Sequence, residues 1–290
     1  MFRIGTTSYI LPADILPNVE YLAPQVDDVE LVLFETDEYG SNLPDATLCD
    51  RLNEIAAAHG LTYTVHLPLD LRLGDGGEET HISLIKARRV IEATRPLQPF
   101  AYTLHLDGRT LPAGSNGWEK AALTRWQEDS RRALEIVCGW LDEPARLCVE
   151  NLERWDPEAF APLVEALPIG RTIDIGHLWL QEADPLVHLA RWVDRARVIH
   201  LHGIATRDHA SLAHVPAAQL DPVIAFLADR FTGVLTLEVF NQADLASSRA
   251  ALVASLARIG LGGLDCGSVL PPRFGLRQRA AALGWGLRAG

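Results

Sequence analysis

The sequence predicts an α/β protein: a single-domain (β/α)8 barrel with a short C-terminal extension. Three observations carry this expectation. Eight short β-like runs alternate with helical segments along nearly the whole chain, the pattern of a parallel sheet with helices on its outer face. A length of 290 residues suits one closed barrel of eight such units. The competing architecture, an open doubly wound sheet, would carry a Gly-x-Gly-x-x-Gly turn in its dinucleotide-binding form, and no such turn occurs. The barrel is assigned to residues 1–260 and the extension to residues 261–290.

In chain order, strands are expected at "FRIGTTSY" (2–9), "VELVLFET" (29–36), "LTYTVHLP" (61–68) and "AYTLHLD" (101–107). Four more follow at "RLCVENL" (146–152), "TIDIGH" (172–177), "RVIHLHG" (197–203) and "VLTLEVF" (234–240). All are short and rich in Val, Ile, Leu, Thr and aromatics, residues that fit a pleated sheet. Between them, "DATLCDRLNEIAAAHG" reads as a helix stopped by Gly60, and the segment from Trp118 to Leu141 places Leu123, Trp126, Leu134, Val137 and Leu141 on one helical face. Asp156-Pro157, Asp184-Pro185 and Asp221-Pro222 are expected to open three later helices. In each the aspartate can cap and the proline occupy the first position, where an N–H is not needed. The helix around 13–25 has the least support, because it contains Pro17 and Pro24.

The composition, 48% hydrophobic and 22% charged, is that of a globular protein with ample core. A net charge of −12 disfavours nucleic acid as the main partner. Cys49, Cys138, Cys148 and Cys266 are scattered and resemble the free thiols of a reducing compartment. No apolar run is long enough to span a bilayer, and "MFRIGTTSYI" lacks the layout of a signal peptide. The expected location is cytoplasmic, with no membrane partner.

In a barrel of this kind the C-terminal ends of the strands converge on one mouth, where chemistry is done. Those ends carry His66, His105, Glu150, Asp174 with His177, His202 and Glu238. Taken singly, each has an ordinary explanation: a strand histidine is most often a satisfied core residue, and Glu150 or Glu238 could pair with an arginine. His188 and His59 read as surface residues on helices, and His81 as ambiguous at a helix start. Taken together, six or more such groups at the same end of successive strands make an odd core. Glu150, Asp174 and Glu238 would repel one another in a shared pocket unless cations neutralised them. Mixed imidazole and carboxylate ligands suit Zn, Mn, Fe or Co, and their number exceeds one tetrahedral site, which implies two or three divalent transition metals. Paired ions about 3.5–4 Å apart lower the pKa of a shared water towards about 7, which suits phosphate-ester hydrolysis.

The order His66, His105, Glu150, Asp174-x-x-His177, His202, Glu238 resembles the xylose-isomerase-like, endonuclease-IV-like superfamily of metal-dependent TIM barrels. The resemblance implies that His66, His105 and Glu150 hold one metal, and that Glu150, Asp174, His202 and Glu238 hold a second. A third would take His177 and an Asp-x-His pair, but here "RDHASLAH" sets Asp208 and His209 side by side, with His214 nearby. His200 should face the same way as His202 but deeper, so His202, nearer the strand end, is the expected ligand. "GTTSYILPADILPNVEYLAPQVDDVELVLFE" and "YTVHLPLDLRLGD" are similar to the cobamide-remodelling phosphodiesterases. That likeness implies hydrolysis of the nucleotide-loop phosphodiester of adenosylcobamides (B12 coenzymes) to adenosylcobinamide phosphate and an α-riboside, for cobamide salvage. Glu150 would then be catalytic, bridging two metals, with Arg72 and Asn151 contacting substrate. The alternatives are a metal-dependent sugar isomerase or epimerase on the same barrel, an abasic-site DNA endonuclease, and a non-catalytic barrel with structural histidines.

Overall fold

The computed structural model describes residues 2–36, 40–109, 120–153 and 155–261. Eight parallel strands close into a barrel: β1 Arg3–Thr7, β2 Asp28–Val32, β3 Thr62–His66, β4 Ala101–Leu104, β5 Leu147–Glu150, β6 Gly170–Asp174, β7 Ala196–Leu201 and β8 Val234–Leu237. Each strand pairs with its neighbours in sequence, and β8 returns to β1 in the register Arg3↔Val234. Closure leaves the barrel itself without an open edge for unwanted pairing. The outward residues of the strands, such as Leu31, Val65 and Ile199, are fully buried under the helix layer with Leu52, Leu134 and Leu227. The inward residues are unusually polar. Thr103 and Thr172 hydrogen-bond at 2.8 Å, and above them the interior fills with histidines and carboxylates.

The helices are α1 Ile15–Leu22, α2 Ala46–His59, α3 Ile82–Thr94, α4 Lys120–Cys138, α5 Ala161–Ala166, α6 Ile175–Leu180, α7 Pro185–Trp192, α8 Ala217–Arg230 and α9 Gln242–Arg258. Their ends follow capping chemistry. Asp45 accepts from Leu48 N–H at the start of α2, and Gly60 takes the left-handed conformation (φ +60°) at its end. Pro17 lies within the first turn of α1, while Pro24 falls beyond its end. His81 caps α3 by accepting from Ser83 N–H.

Several expectations are corrected. The second strand stops at Val32, and Glu35–Thr36 turns back to pair with Gly40–Ser41 in a small antiparallel ribbon. Asp156 and Asp184 cap as expected, although the first opens a 3-10 turn ahead of α5. Asp221-Pro222 does not start a helix: α8 begins at Ala217, and Pro222 sits inside it. Asp221 instead accepts from Ser255 and binds Arg258, tying α8 to α9. His188 is no surface residue. It is a buried residue of α7 beside Glu158, and burial together with Arg171 pushes its pKa down to about 3. The expected extension, apart from Leu261, and Cys266 with it lie outside the described residues. No described helix is long and apolar enough to cross a membrane.

Candidate metal centre

The strand ends deliver the side chains to one place. β3, β5 and β6 finish on His66, Glu150 and Asp174, and His105, His202 and Glu238 each stand one residue past β4, β7 and β8. Among the described residues three overlapping groups result, each with candidate ligand atoms within 4.8 Å of one another: His66, His105 and Glu150; Glu150, Asp174, His200 and Glu238; and Asp174, His177, His202 and His209. Six of the chain's ten histidines are in them. Glu150 belongs to two groups and Asp174 to two.

In the first group Glu150 Oε2 stands 3.1 Å from His105 Nε2 and 3.5 Å from His66 Nε2. His66 Nδ1 donates to the Leu67 carbonyl at 2.9 Å, which leaves Nε2 as the free ring nitrogen. His105 Nδ1 lies 3.3 Å from Asp70 at the rim. In the third group His202 Nε2 is 3.2 Å from Asp174 Oδ1, and His177 Nδ1 donates to the Asn151 carbonyl at 3.0 Å.

The structure groups the candidate ligands differently from the sequence expectation. It is His200, not His202, that groups with Glu150, Asp174 and Glu238, because the register between β6 and β7 sets Asp174 level with His200, while His202 keeps its contact with the other Asp174 oxygen. His202, two residues further on, rises to the level of Asp208, 3.2 Å away, and joins His177 and His209. His177 is not on a strand. β6 ends at Asp174, whose Oδ1 accepts from His177 N–H at 2.7 Å and so caps α6. One carboxylate thus serves as helix cap and as candidate ligand.

Gly176 allows this packing, since a Cβ there would lie 2.1 Å from the His202 ring. The adjacent pair Asp208 and His209 reaches one site, with His209 in the left-handed region at φ +51°. Asp208 Oδ2 is 3.6 Å from His177 and 3.5 Å from His209. His214 is exposed on a 3-10 turn and outside the three groups.

Both ends of the Asn151 amide engage the main chain of Asp174. Asn151 is fully buried, donating to the Asp174 carbonyl at 2.9 Å and accepting from Asp174 N–H at 3.0 Å. Its role is to hold Asp174. Arg72 donates to the Leu73 carbonyl and pairs with Asp75, and with Arg125, Asp107 and Trp126 it lines a cavity of about 270 Å³. Sequence reasoning misses Glu30, which is fully buried on β2 and touches His200. A carboxylate inside "VELVLFET" is the available signal.

The electrostatics are those of a site built to hold positive charge. Burial opposes charge on His105, yet Glu150 and Asp70 push its pKa up to about 10. Against the same penalty, Asp174, Asp208 and Glu150 raise His177 to about 11, and Asp174 raises His202 to about 9. Glu150 is buried too, but His200 and His105 hold it well below the usual carboxylate range. Even so, Asp174 Oδ2, His202 Nε2 and Glu238 Oε2 are buried and meet oppositely charged neighbours at 3.1–3.9 Å without good hydrogen-bond geometry. All three atoms belong to side chains of the clusters, and a buried polar atom without a well-formed hydrogen bond is costly. Imidazole and carboxylate donors converging this way fit divalent transition metals.

The fold is a closed barrel of a known type, and its mouth carries candidate metal-binding clusters. The xylose isomerase-like TIM barrel family matches residues 26–259, and the chain belongs to that family. A comparison with curated protein sequences gives no match. Among solved structures, a D-tagatose 3-epimerase-like protein is 18% identical with a TM-score of 0.65, covering 89% of this chain and 98% of its own. Endonuclease IV from Thermus thermophilus is 19% identical with a TM-score of 0.64, covering 88% and 99%. The TTHB071 protein from the same organism, soaked with zinc chloride, is 21% identical with a TM-score of 0.58, covering 89% and 98%. At these identities the likeness is one of fold.

Proposed function

We propose that the chain is a metal-dependent phosphodiesterase that hydrolyses the nucleotide-loop phosphodiester of adenosylcobamides, releasing an α-riboside and leaving adenosylcobinamide phosphate. The supporting observation is the sharing of ligands. Glu150 joins the first group to the second and Asp174 joins the second to the third, so two or three ions would stand side by side against one substrate group. Bound there, such ions supply positive charge for a phosphodiester and acidify water. The chain's own residues set the geometry. Asn151 fixes Asp174, the main chain orients His66 and His177, and Glu150 lies at the centre with 1% exposure. Arg72, on the cavity beside the mouth, is the candidate contact for an anionic part of the substrate. The cobamide itself rests on the resemblance of the two N-terminal stretches.

A second reading, sugar epimerisation, is supported by the epimerase-like structural neighbour and by Glu150 and Glu238, two carboxylates facing one imidazole. The test is incubation of protein reconstituted with Zn, Mn, Fe or Co with an adenosylcobamide, products identified by mass spectrometry. Release of the lower-ligand riboside, with phosphate left on the cobinamide, is expected. Intact cobamide across all four metals and more than one lower base, with a ketohexose epimerised in parallel, would replace this reading with the second.

A further inference from the structure

β2 reads DVELV, and successive side chains of a strand point to opposite faces. Asp28 and Glu30 therefore share a face, and both have no solvent exposure. Removing a carboxylate from water is expensive unless something pairs with it. Glu30 is in none of the three candidate metal groups. What it touches is His200, on β7, a strand that is not its neighbour in the barrel, so the contact crosses the interior. Glu30 Oε2 is 2.9 Å from His200 Nε2. On the other edge of the ring, Nδ1 is 3.0 Å from Glu150 Oε1, 3.1 Å from Glu238 Oε2 and 3.9 Å from Asp174 Oδ2. The other Glu30 oxygen has no hydrogen-bond partner among the described residues. One imidazole thus spans from a lone carboxylate to a cluster of three.

We infer that Glu30 is a positioning residue: its carboxylate accepts a hydrogen bond from His200 Nε2–H and fixes the tautomer and ring plane in which Nδ1 is presented to a divalent metal among Glu150, Asp174 and Glu238. A ring nitrogen held against an anion keeps its hydrogen, which leaves the lone pair on the opposite nitrogen. Among the described residues, no main-chain carbonyl does this for either nitrogen of His200, unlike those of His66 and His177. The inference rests on the metal-centre reading above.

The experiment compares wild type with Glu30→Gln, which keeps the side chain's size but can donate as well as accept and so no longer enforces one tautomer. Zn2+ affinity is read by competition with a chromophoric chelator, and ions retained after dialysis are counted by elemental analysis. One of the bound ions is expected to weaken by roughly 10–100-fold while the others and the circular dichroism spectrum stay as in wild type. In a His200→Gln background the same change at Glu30 should add nothing. A second measurement needs no variant: 15N-histidine NMR of the Zn2+-loaded wild type should show His200 protonated at Nε2 and metal-bound at Nδ1. Wild-type affinity and stoichiometry in Glu30→Gln, or coordination through Nε2, would overturn the positioning role and leave the metal centre standing. A wild type that retains no Zn2+ would overturn both.

Discussion

Replacing Gly176 by alanine tests the packing of the third ligand group most directly. A Cβ at this position would lie 2.1, 2.3 and 2.5 Å from Cε1, Nε2 and Nδ1 of His202. Carbon atoms in contact prefer about 3.5–4.0 Å, so the ring must retreat by about 1.4 Å or the strand-to-helix turn must open. Nε2 of that ring is the atom 3.2 Å from Asp174 Oδ1, and His202 is fully buried, with no slack to absorb the move. Overpacking of this kind costs about 1–3 kcal/mol, equivalent to a fall in Tm of roughly 2–10 °C for a domain near this size. Differential scanning fluorimetry of the metal-free protein reads the stability, and elemental analysis after dialysis reads the ions retained. The expected result is a lowered Tm with one ion fewer than wild type. In a His202→Ala background the obstructing ring is gone, and Gly176→Ala should then have little further effect on Tm. An unchanged Tm and ion count in the single variant, or an undiminished penalty in the double, would refute the proposed clash.

Three further outcomes are expected. Glu150→Gln should abolish turnover and release ions from both groups that share it, with circular dichroism unchanged; retained activity would remove Glu150 from the mechanism. Asn151→Ala strips two hydrogen bonds from the buried main chain of Asp174 and should destabilise the fold by about 1–3 kcal/mol, read as a lower denaturant midpoint; a wild-type midpoint would show Asp174 held by other contacts. The metal-free protein should also lose stability as pH rises. His202, His105 and His177 are raised to about 9, 10 and 11, so their stabilisation is complete below the unfolded value of about 6.5 and is lost as pH climbs through those values. Ligation needs neutral imidazoles, so loading with metal should flatten the loss above pH 6.5 and metal affinity should fall in acid. Parallel Tm profiles with and without metal would count against ligation by these histidines.

The barrel is legible because each strand announces itself by composition and each turn by its punctuation. The candidate ligands are legible because the fold puts strand ends together whatever their distance in sequence. What a sequence does not print is register. His200 and His202 share a face, and only the alignment of β7 against β6 shows which is level with Asp174. Asp174-x-x-His177 reads as strand, although the same spacing lets an aspartate cap a helix, which it does. Pro222 resembles a helix start because proline is tolerated at the first position, but it sits inside α8. Glu30 escapes notice because its partner lies on a strand 170 residues away and across the barrel.

Among the described residues, five imidazoles of the clusters differ in how easily mutation can remove the partner that orients them. His66, His177 and His202 lean on the carbonyls of Leu67, Asn151 and Gly203, and no side-chain substitution removes a carbonyl. His105 and His200 lean on Asp70 and Glu30, and a single codon change removes either. Asp70 stands at the rim with 43% of its side chain exposed, whereas Glu30 is sealed inside the barrel. Natural variation in the orientation of the ligands therefore has two open points of entry, one reachable from solvent and one only by repacking the interior. Divergence among related barrels should begin at the first.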